Sequence, residues 1–297
     1  MRRPPAAPAV SHADRLIDCA RKRLPASAAA LLVLALYLLV AVGVWLGLWG
    51  QGWAEIGPTM WQGPGQDHWL GTNRLGQDIW QRGLAATATA FEIGLPVAAL
   101  STLIGGLLGA GAGYFAHSWI DEAVLWLVGT LEAIPFYLFV AAMAFALSGH
   151  PWAMHLAMIA TFWTATARVT RAETQRIAKL GFIEAARAGG LRPRRIIRRH
   201  VMPHLTPLLL IQASFAFIAA IKAEVVLSFL GIGVDDSVSW GVMIAEASQE
   251  ILAGFYLNFV TASALLFGLV MTVNRLADHL QDRFDPKAAR LDARNHA

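Results

Sequence analysis

The chain has 297 residues, 56% of them hydrophobic and 15% charged, with a mean hydropathy of +0.50 and a formal net charge of +4. This balance is far more apolar than that of a soluble domain and excludes an ordinary cytosolic enzyme. The single cysteine, Cys19, excludes an internal disulfide.

Six long apolar stretches follow one another, at residues 25–49, 84–115, 123–147, 152–167, 205–230 and 251–273. A helix that crosses a bilayer needs about 20 apolar residues, with a range of roughly 17–25. Proline and glycine inside such runs are tolerated where neighbouring helices re-satisfy the backbone. The sequence therefore predicts an all-α membrane protein with six transmembrane helices, in which the short run 152–167 borrows residues on each side. The first run is longer than the apolar region of a signal peptide and ends in Leu48-Trp49 rather than in small residues, so an uncleaved anchor is expected. Trp49, Trp53, Trp119 and Trp152 fall near span ends, where indoles anchor at the interface.

All of the 24 Lys and Arg except Arg74, Arg82 and Lys222 lie in the N-terminal tail, the loop after the fourth run or the C-terminal tail. By the positive-inside bias both termini and that loop are cytoplasmic, while 50–83 and the acidic segment with Asp235, Asp236, Glu246 and Glu250 face outward. The same bias accounts for the basic pI, so no nucleic-acid surface is expected. Cys19 then sits where thiols stay reduced. The predicted organisation is a tail at 1–24, the first span and an external segment at 25–83, a five-span core at 84–275 containing the basic loop 168–204, and a tail at 276–297.

The basic loop carries its own punctuation. Residues 182–188 (FIEAARA) are strong helix formers. Gly189-Gly190 ends that helix, since glycine accepts the left-handed closing conformation. Pro193 opens a second short helix at its first position. Pro203 lacks the N–H needed for a helical ladder and marks the boundary of the next span. A helix–turn–helix tied at both ends to membrane spans can transmit a push.

Four ionisable residues lie within the apolar runs: Glu92, Glu132, Lys222 and Glu224. Such groups cost about 2.5–3.5 kcal/mol even on the lower insertion scales, so they face a bundle interior or a wet cavity and are candidates for a substrate pathway. Lys222 and Glu224 are two apart and point to different faces. Lys222 and Glu92 fall at similar depth, which leaves two readings: they pair, or each lines the channel or a partner. Glu132, just before Pro135, lines the cavity or an inner gate. The His150/His155 and His200/His204 pairs lack metal-site spacing or a nearby carboxylate, and no catalytic set is present, so neither a metal nor a catalytic residue is expected.

The loop pattern Glu184-Ala185-Ala186, Gly190 and His200-Val201-Met202-Pro203 resembles the signature loop of bacterial ATP-binding-cassette importer permeases, with His200 and Met202 at positions more usually apolar. Three further segments are similar to the "C"-type permeases of dipeptide, oligopeptide and nickel importers. These are residues 68–78 (HWLGTNRLGQD), 224–233 (EVVLSFLGIG) and Ser239-Trp240-Gly241. Asn73 and Gln77 stand where that branch has Asp and Arg, so an ion pair is replaced by two neutral amides.

This resemblance implies the type I importer permease fold in a bacterial inner membrane and the uptake of peptides. It implies as partners a second permease subunit forming a heterodimer, two ATPase subunits and an extracytoplasmic binding protein. The coupling helix would dock in a groove of the ATPase through Phe182, Glu184, Ala185 and Ala186, with Gly190 and Pro203 shaping the loop. Glu224 belongs to the branch pattern, with either a structural role or cargo contact. No phosphate-binding G-x-x-x-x-G-K-[ST] loop is present, so ATP and Mg belong to the partner ATPases and no cofactor is expected in this chain. Gly105, Gly106, Gly109 and Gly113 suit close helix packing instead. The alternatives are a nickel or metal-chelate importer permease, an ATP-independent secondary transporter with inverted repeats, or a membrane scaffold, which leaves the loop spacing unexplained.

Overall fold

In the computed structural model, which describes residues 26–147, 150, 152–233 and 237–284, the regular structure is helical apart from one isolated bridge between Thr72 and Asp78. The tails that hold Cys19 and most of the terminal arginines, and Asp235 and Asp236, lie outside the described residues. Helix α1 is Ala26–Trp45, followed by a single 3-10 turn at Gln51–Ala54. Helix α2, Ile79–Tyr114, is the spine of the molecule. At 1.5 Å per residue its 36 residues extend about 54 Å. It is capped by Asp78, whose carboxylate accepts from the Gln81 N–H at 3.0 Å, six residues before the apolar run itself begins.

Helix α5, Ala153–Ile177, lies along α2, and small residues let the two backbones approach. A Cβ on Gly105, Gly109 or Gly113 would stand 2.4–2.5 Å from the carbonyls of Trp163, Ala167 and Arg171. The glycines recur every four residues and meet Thr166, Thr170 and Thr174 at the same spacing, so one face of each helix is a matched ridge and groove. The predicted packing role of these glycines is what the contact uses. On another face of α2, Gly94 leaves room for Phe217 of helix α8 (Met202–Phe229), whose ring meets Phe91 at 5.6 Å.

The third apolar run is not one straight helix. It forms α3, Trp119–Glu132, and α4, Phe136–Ala146, set at 88° to one another. Pro135 disfavours helical geometry at Ile134 and has no N–H to give. Pro96 in α2 and Pro207 in α8 are absorbed within their helices, where they are half-buried among neighbours, whereas residues 132–135 are exposed and have no such support around them.

The other boundaries shift for local reasons. Helix α5 runs to Ile177, beyond the apolar run, and carries Arg168, Arg171, Glu173 and Arg176 in its last turns. The run 251–273 is divided: Ile251 and Leu252 end a separate helix, α9 (Trp240–Leu252), and α10 (Leu257–Phe284) begins only after Gly254 at φ +91. Among the described residues four helices are long and apolar enough to cross a membrane, or five if the bent α3–α4 pair is counted as one span. The bundle closes through α10, where the Tyr37 hydroxyl of α1 donates to the Leu265 carbonyl at 2.9 Å.

Candidate functional site

The basic loop folds as its punctuation dictates. Helix α6 spans Gly181–Ala188 and closes on Gly190 at φ +75. The Gly190 N–H donates to the Arg187 carbonyl at 3.0 Å and the Leu191 N–H to the Ala186 carbonyl at 3.2 Å, the paired bonds of a left-handed helix stop. Helix α7, Pro193–Ile196, opens with proline at its first turn.

The boundary expected at Pro203 takes another form. Residues Ile197–Val201 widen into a π turn and helix α8, Met202–Phe229, follows without a gap, so one helical rod runs from Pro193 to Phe229. Pro203 sits in the first turn of α8, after the wider turn, and a π turn is one way a helix continues past a residue that cannot complete the ladder. The second short helix and the fifth span are therefore one element.

One face of α6 is anchored and the other is free. Ile183 is fully buried among Ala110, Ile177, Ile196, Val201 and Leu205. The Phe182 ring stacks on His204 at 5.1 Å. The Arg187 guanidinium lies 4.8 Å from the Tyr114 ring centre, and its Nε donates to the Tyr114 hydroxyl at 3.2 Å. Thus α6 touches α2, α5 and α8 at once, and a force applied to it reaches all three long helices. Glu184, Ala185 and Gly190 are exposed and Ala186 is half-buried. The stacking role of His204 carried no signal in the sequence.

At the far end of α2 the segment between α1 and α2 forms a cap with α9. Gly71 and Gly76 adopt φ +74 and +75 and bring their turns close onto the chain at Gln62 and Gly57. His68 Nδ1 lies 2.7 Å from the Asp78 carboxylate. The two amides that stand in for an ion pair bond to each other, Asn73 Nδ2 donating to Gln77 Oε1 at 2.9 Å. Both then join a real ion pair: Arg82 donates to Gln77 Oε1 and, at 2.8 Å, to the Glu246 carboxylate, while Asn73 Nδ2 reaches the same carboxylate at 3.4 Å. Glu250, one turn further along α9, accepts from the Arg74 N–H at 2.9 Å. Sequence reasoning placed Arg82, Glu246 and Glu250 on one side without connecting them. The i, i+4 spacing of the two glutamates was the available signal.

The remaining signature segments are packing devices. Ser239 caps α9 by accepting from the Val242 N–H at 3.2 Å, Trp240 is buried, and Gly241 lets α9 touch α8, where a Cβ would meet the Val225 carbonyl at 2.6 Å. Glu224 is buried on the facing side and accepts from the Ser228 hydroxyl. Gly231, at φ +80, lies just past the end of α8.

The four charges read as a pathway are not gathered into one site. No ion pair or hydrogen bond joins any two of them among the described residues. Of the two readings for Glu92 and Lys222, pairing is not what forms: the Glu92 carboxylate turns to α1 and accepts from Trp45 Nε1 at 2.6 Å, while Lys222 lies on an exposed face of α8. Glu92 borders a cavity of about 290 Å³ that Trp45 and Trp53 also line. Glu132 instead pairs with Arg168 of α5 beside the α3–α4 break.

A long glycine-grooved helix at the centre of an apolar bundle, with a short helix held on one face in a basic loop, defines a multi-pass membrane component. The chain belongs to the family of binding-protein-dependent transport system inner membrane components, which it matches over residues 102–290. It is 36% identical over 233 residues to the oligopeptide transport system permease protein OppC of Mycobacterium tuberculosis, covering 77% of this chain and 79% of that protein. It is 30% identical to the dipeptide transport system permease protein DppC of Bacillus subtilis (76% and 71% covered) and 32% identical to the glutathione transport system permease protein GsiD of Pectobacterium atrosepticum (76% and 75%). The family is one of transport components, and the chain is an inner-membrane protein of that kind.

Proposed function

We propose that this chain is one half of the transmembrane pathway of a peptide importer powered by separate ATPase subunits. In this reading it crosses the bacterial inner membrane six times with both termini cytoplasmic. The bent α3–α4 pair and α5 supply the third and fourth crossings, and the charged last turns of α5 project into the cytoplasm. It pairs with a second permease, and two ATPases bind ATP and Mg and dock against the free face of α6. An extracytoplasmic binding protein delivers cargo at the cap. Relatives that carry oligopeptides, dipeptides and glutathione by name support a peptide cargo rather than nickel.

The single observation that carries the reading is α6 itself. Its inner face is locked by Ile183, Phe182 and Arg187 onto three long helices, and its outer face, with Glu184 and Ala185, is left without a partner among the described residues. A secondary transporter has no use for such a lever. Driving an access equilibrium from 1:99 to 99:1 takes about 5.5 kcal/mol of differential interaction, and α6 is where that energy enters. ATP-driven uptake in vesicles containing the full complex tests this, with wild type compared to Gly190→Asp. Loss of uptake together with uncoupled ATP hydrolysis is expected. Unchanged ATP-dependent uptake in the variant means that the loop is not the coupling element.

A further inference from the structure

Two arginines one turn apart on α5 reach in opposite directions along α3, and the two ion pairs they make are built differently. Arg171 runs to the first turn of α3, where its Nη2 donates to Asp121 at 2.8 Å. Asp121 is 2% exposed and also accepts from the His117 N–H at 2.9 Å, so this pair is a sealed structural tie. Arg168 runs to the last residue of α3, Glu132, and its Nε donates to Oε1 at 3.0 Å. Here the side chains remain 54% and 38% exposed, and neither has another charged partner among the described residues. One tie at the start of α3 is enough to fix a helix of 14 residues against α5. The second is left open, and its carboxylate, Glu132, borders a cavity.

That cavity has a volume of about 310 Å³ and sits in the 88° break between α3 and α4. This matches the lower end of the roughly 300–1,000 Å³ typical of small-ligand sites. One wall is apolar, formed by Phe136 stacked on Phe162 with ring centres 5.0 Å apart. The break also exposes the start of α4, which no side chain caps, and the end of α3. Facing half-helix ends of this kind favour an anion at the one and a cation at the other. The cavity is thus lined by a carboxylate and an aromatic wall, and the carboxylate is the one that holds the Arg168 guanidinium.

Resting on the importer reading above, we propose that this cavity is a cargo waypoint for zwitterionic peptides: a free α-amino terminus displaces Arg168 from Glu132, and the released guanidinium takes up a carboxylate of the same cargo. When empty, the two side chains satisfy one another, so the site costs nothing in unpaired charge at membrane depth. When occupied, each exchanges one opposite charge for another, so cargo binds there without a net burial of charge and leaves as readily. An acylated or esterified cargo offers only one of the two exchanges and leaves the other side chain unpaired.

The test uses the complete complex in vesicles with saturating loaded binding protein, and Ala-Ala as probe. In the charge-swapped variant, Glu132→Arg with Arg168→Glu, the ion pair is kept but its polarity toward the cavity is reversed. The proposal expects assembly of the complex and a fall of at least tenfold in Ala-Ala uptake. Uptake at the wild-type rate in the swap overturns it and leaves the pair a structural tie. If the swap does not assemble, the neutral pair Glu132→Gln with Arg168→Gln decides by the same criterion. A wild-type complex that hydrolyses ATP but takes up no Ala-Ala overturns the peptide reading on which the proposal rests, and this is distinct from a wild type that transports and a swap that transports equally well.

Discussion

The cap and the basic loop both fold short turns between long helices, yet they place their charges in opposite ways. In the cap, Arg82 and Glu250 are 2% and 1% exposed, Asn73 is fully buried, and polar side chains are consumed by one another. In the loop, Arg192, Arg194, Arg195, Arg198 and Arg199 are all exposed, and none forms an ion pair among the described residues. A buried, internally satisfied network fixes a shape, because any rearrangement strands a charge. An apolar anchor with an open polar face fixes a position and leaves recognition to whatever docks there. The cap is therefore where changes should register as stability, and the loop where they should register as coupling.

The largest effect expected from this contrast is at Arg82. Arg82→Met leaves the Glu246 carboxylate without its counter-charge, and breaking one side of a buried pair costs about 3–5 kcal/mol. Thermal unfolding of the purified complex should show it, and a variant that unfolds as wild type does would remove the structural role of the cap. A smaller loss is expected for Gln77→Arg, which sets a second guanidinium beside Arg82. Adding Asn73→Asp should restore about 0.5–3 kcal/mol, read as the coupling energy of a double-mutant cycle. Additive single effects would mean that the two amides do not act with Arg82 as one network.

At Gly190 the ordering should invert. With φ at +75 and open space where a Cβ would stand, a side chain meets backbone strain of roughly 1–2 kcal/mol and no steric clash. Gly190→Asp is therefore expected to shift unfolding only slightly while uptake falls at least tenfold. A large unfolding shift with uptake intact would erase the distinction between cap and loop.

Much of this arrangement was legible in the sequence, for reasons that differ by element. The stop of α6 at Gly190 and the start of α7 at Pro193 depend on local backbone chemistry alone, and both appear where those residues demand. The glycine groove of α2 was legible because a four-residue repeat of small residues has one plain use. The break at Pro135 was not, because a proline in an apolar run is absorbed or breaks the helix according to its neighbours, and sequence does not show them. The Glu92–Lys222 pairing failed for a related reason: matched depth says nothing of azimuth, and Glu92 points toward Trp45. The cap network joins residues more than 160 apart in the chain, so only its i, i+4 glutamates gave any hint.

The smallest stability effect is expected at the arginines of the loop, where the comparison is sharpest. Arg198 and Arg199 are exposed on the π turn that joins α7 to α8. Replacing both with Gln removes no buried partner, so unfolding of the complex should not change measurably. Charges at the rim of an interface act on encounter rather than on the docked contact. The association rate of the ATPase subunits with the permease should therefore fall, and its dependence on salt should flatten, while the dissociation rate stays the same. Lipid headgroups are the competing partner for these side chains. A contribution from them would grow with the fraction of anionic lipid in the vesicles, at a fixed concentration of ATPase. A rate deficit independent of lipid charge assigns the arginines to the docking surface beside α6. A deficit that vanishes in neutral vesicles assigns them to the membrane, and leaves Glu184 and its neighbours as the whole of the contact.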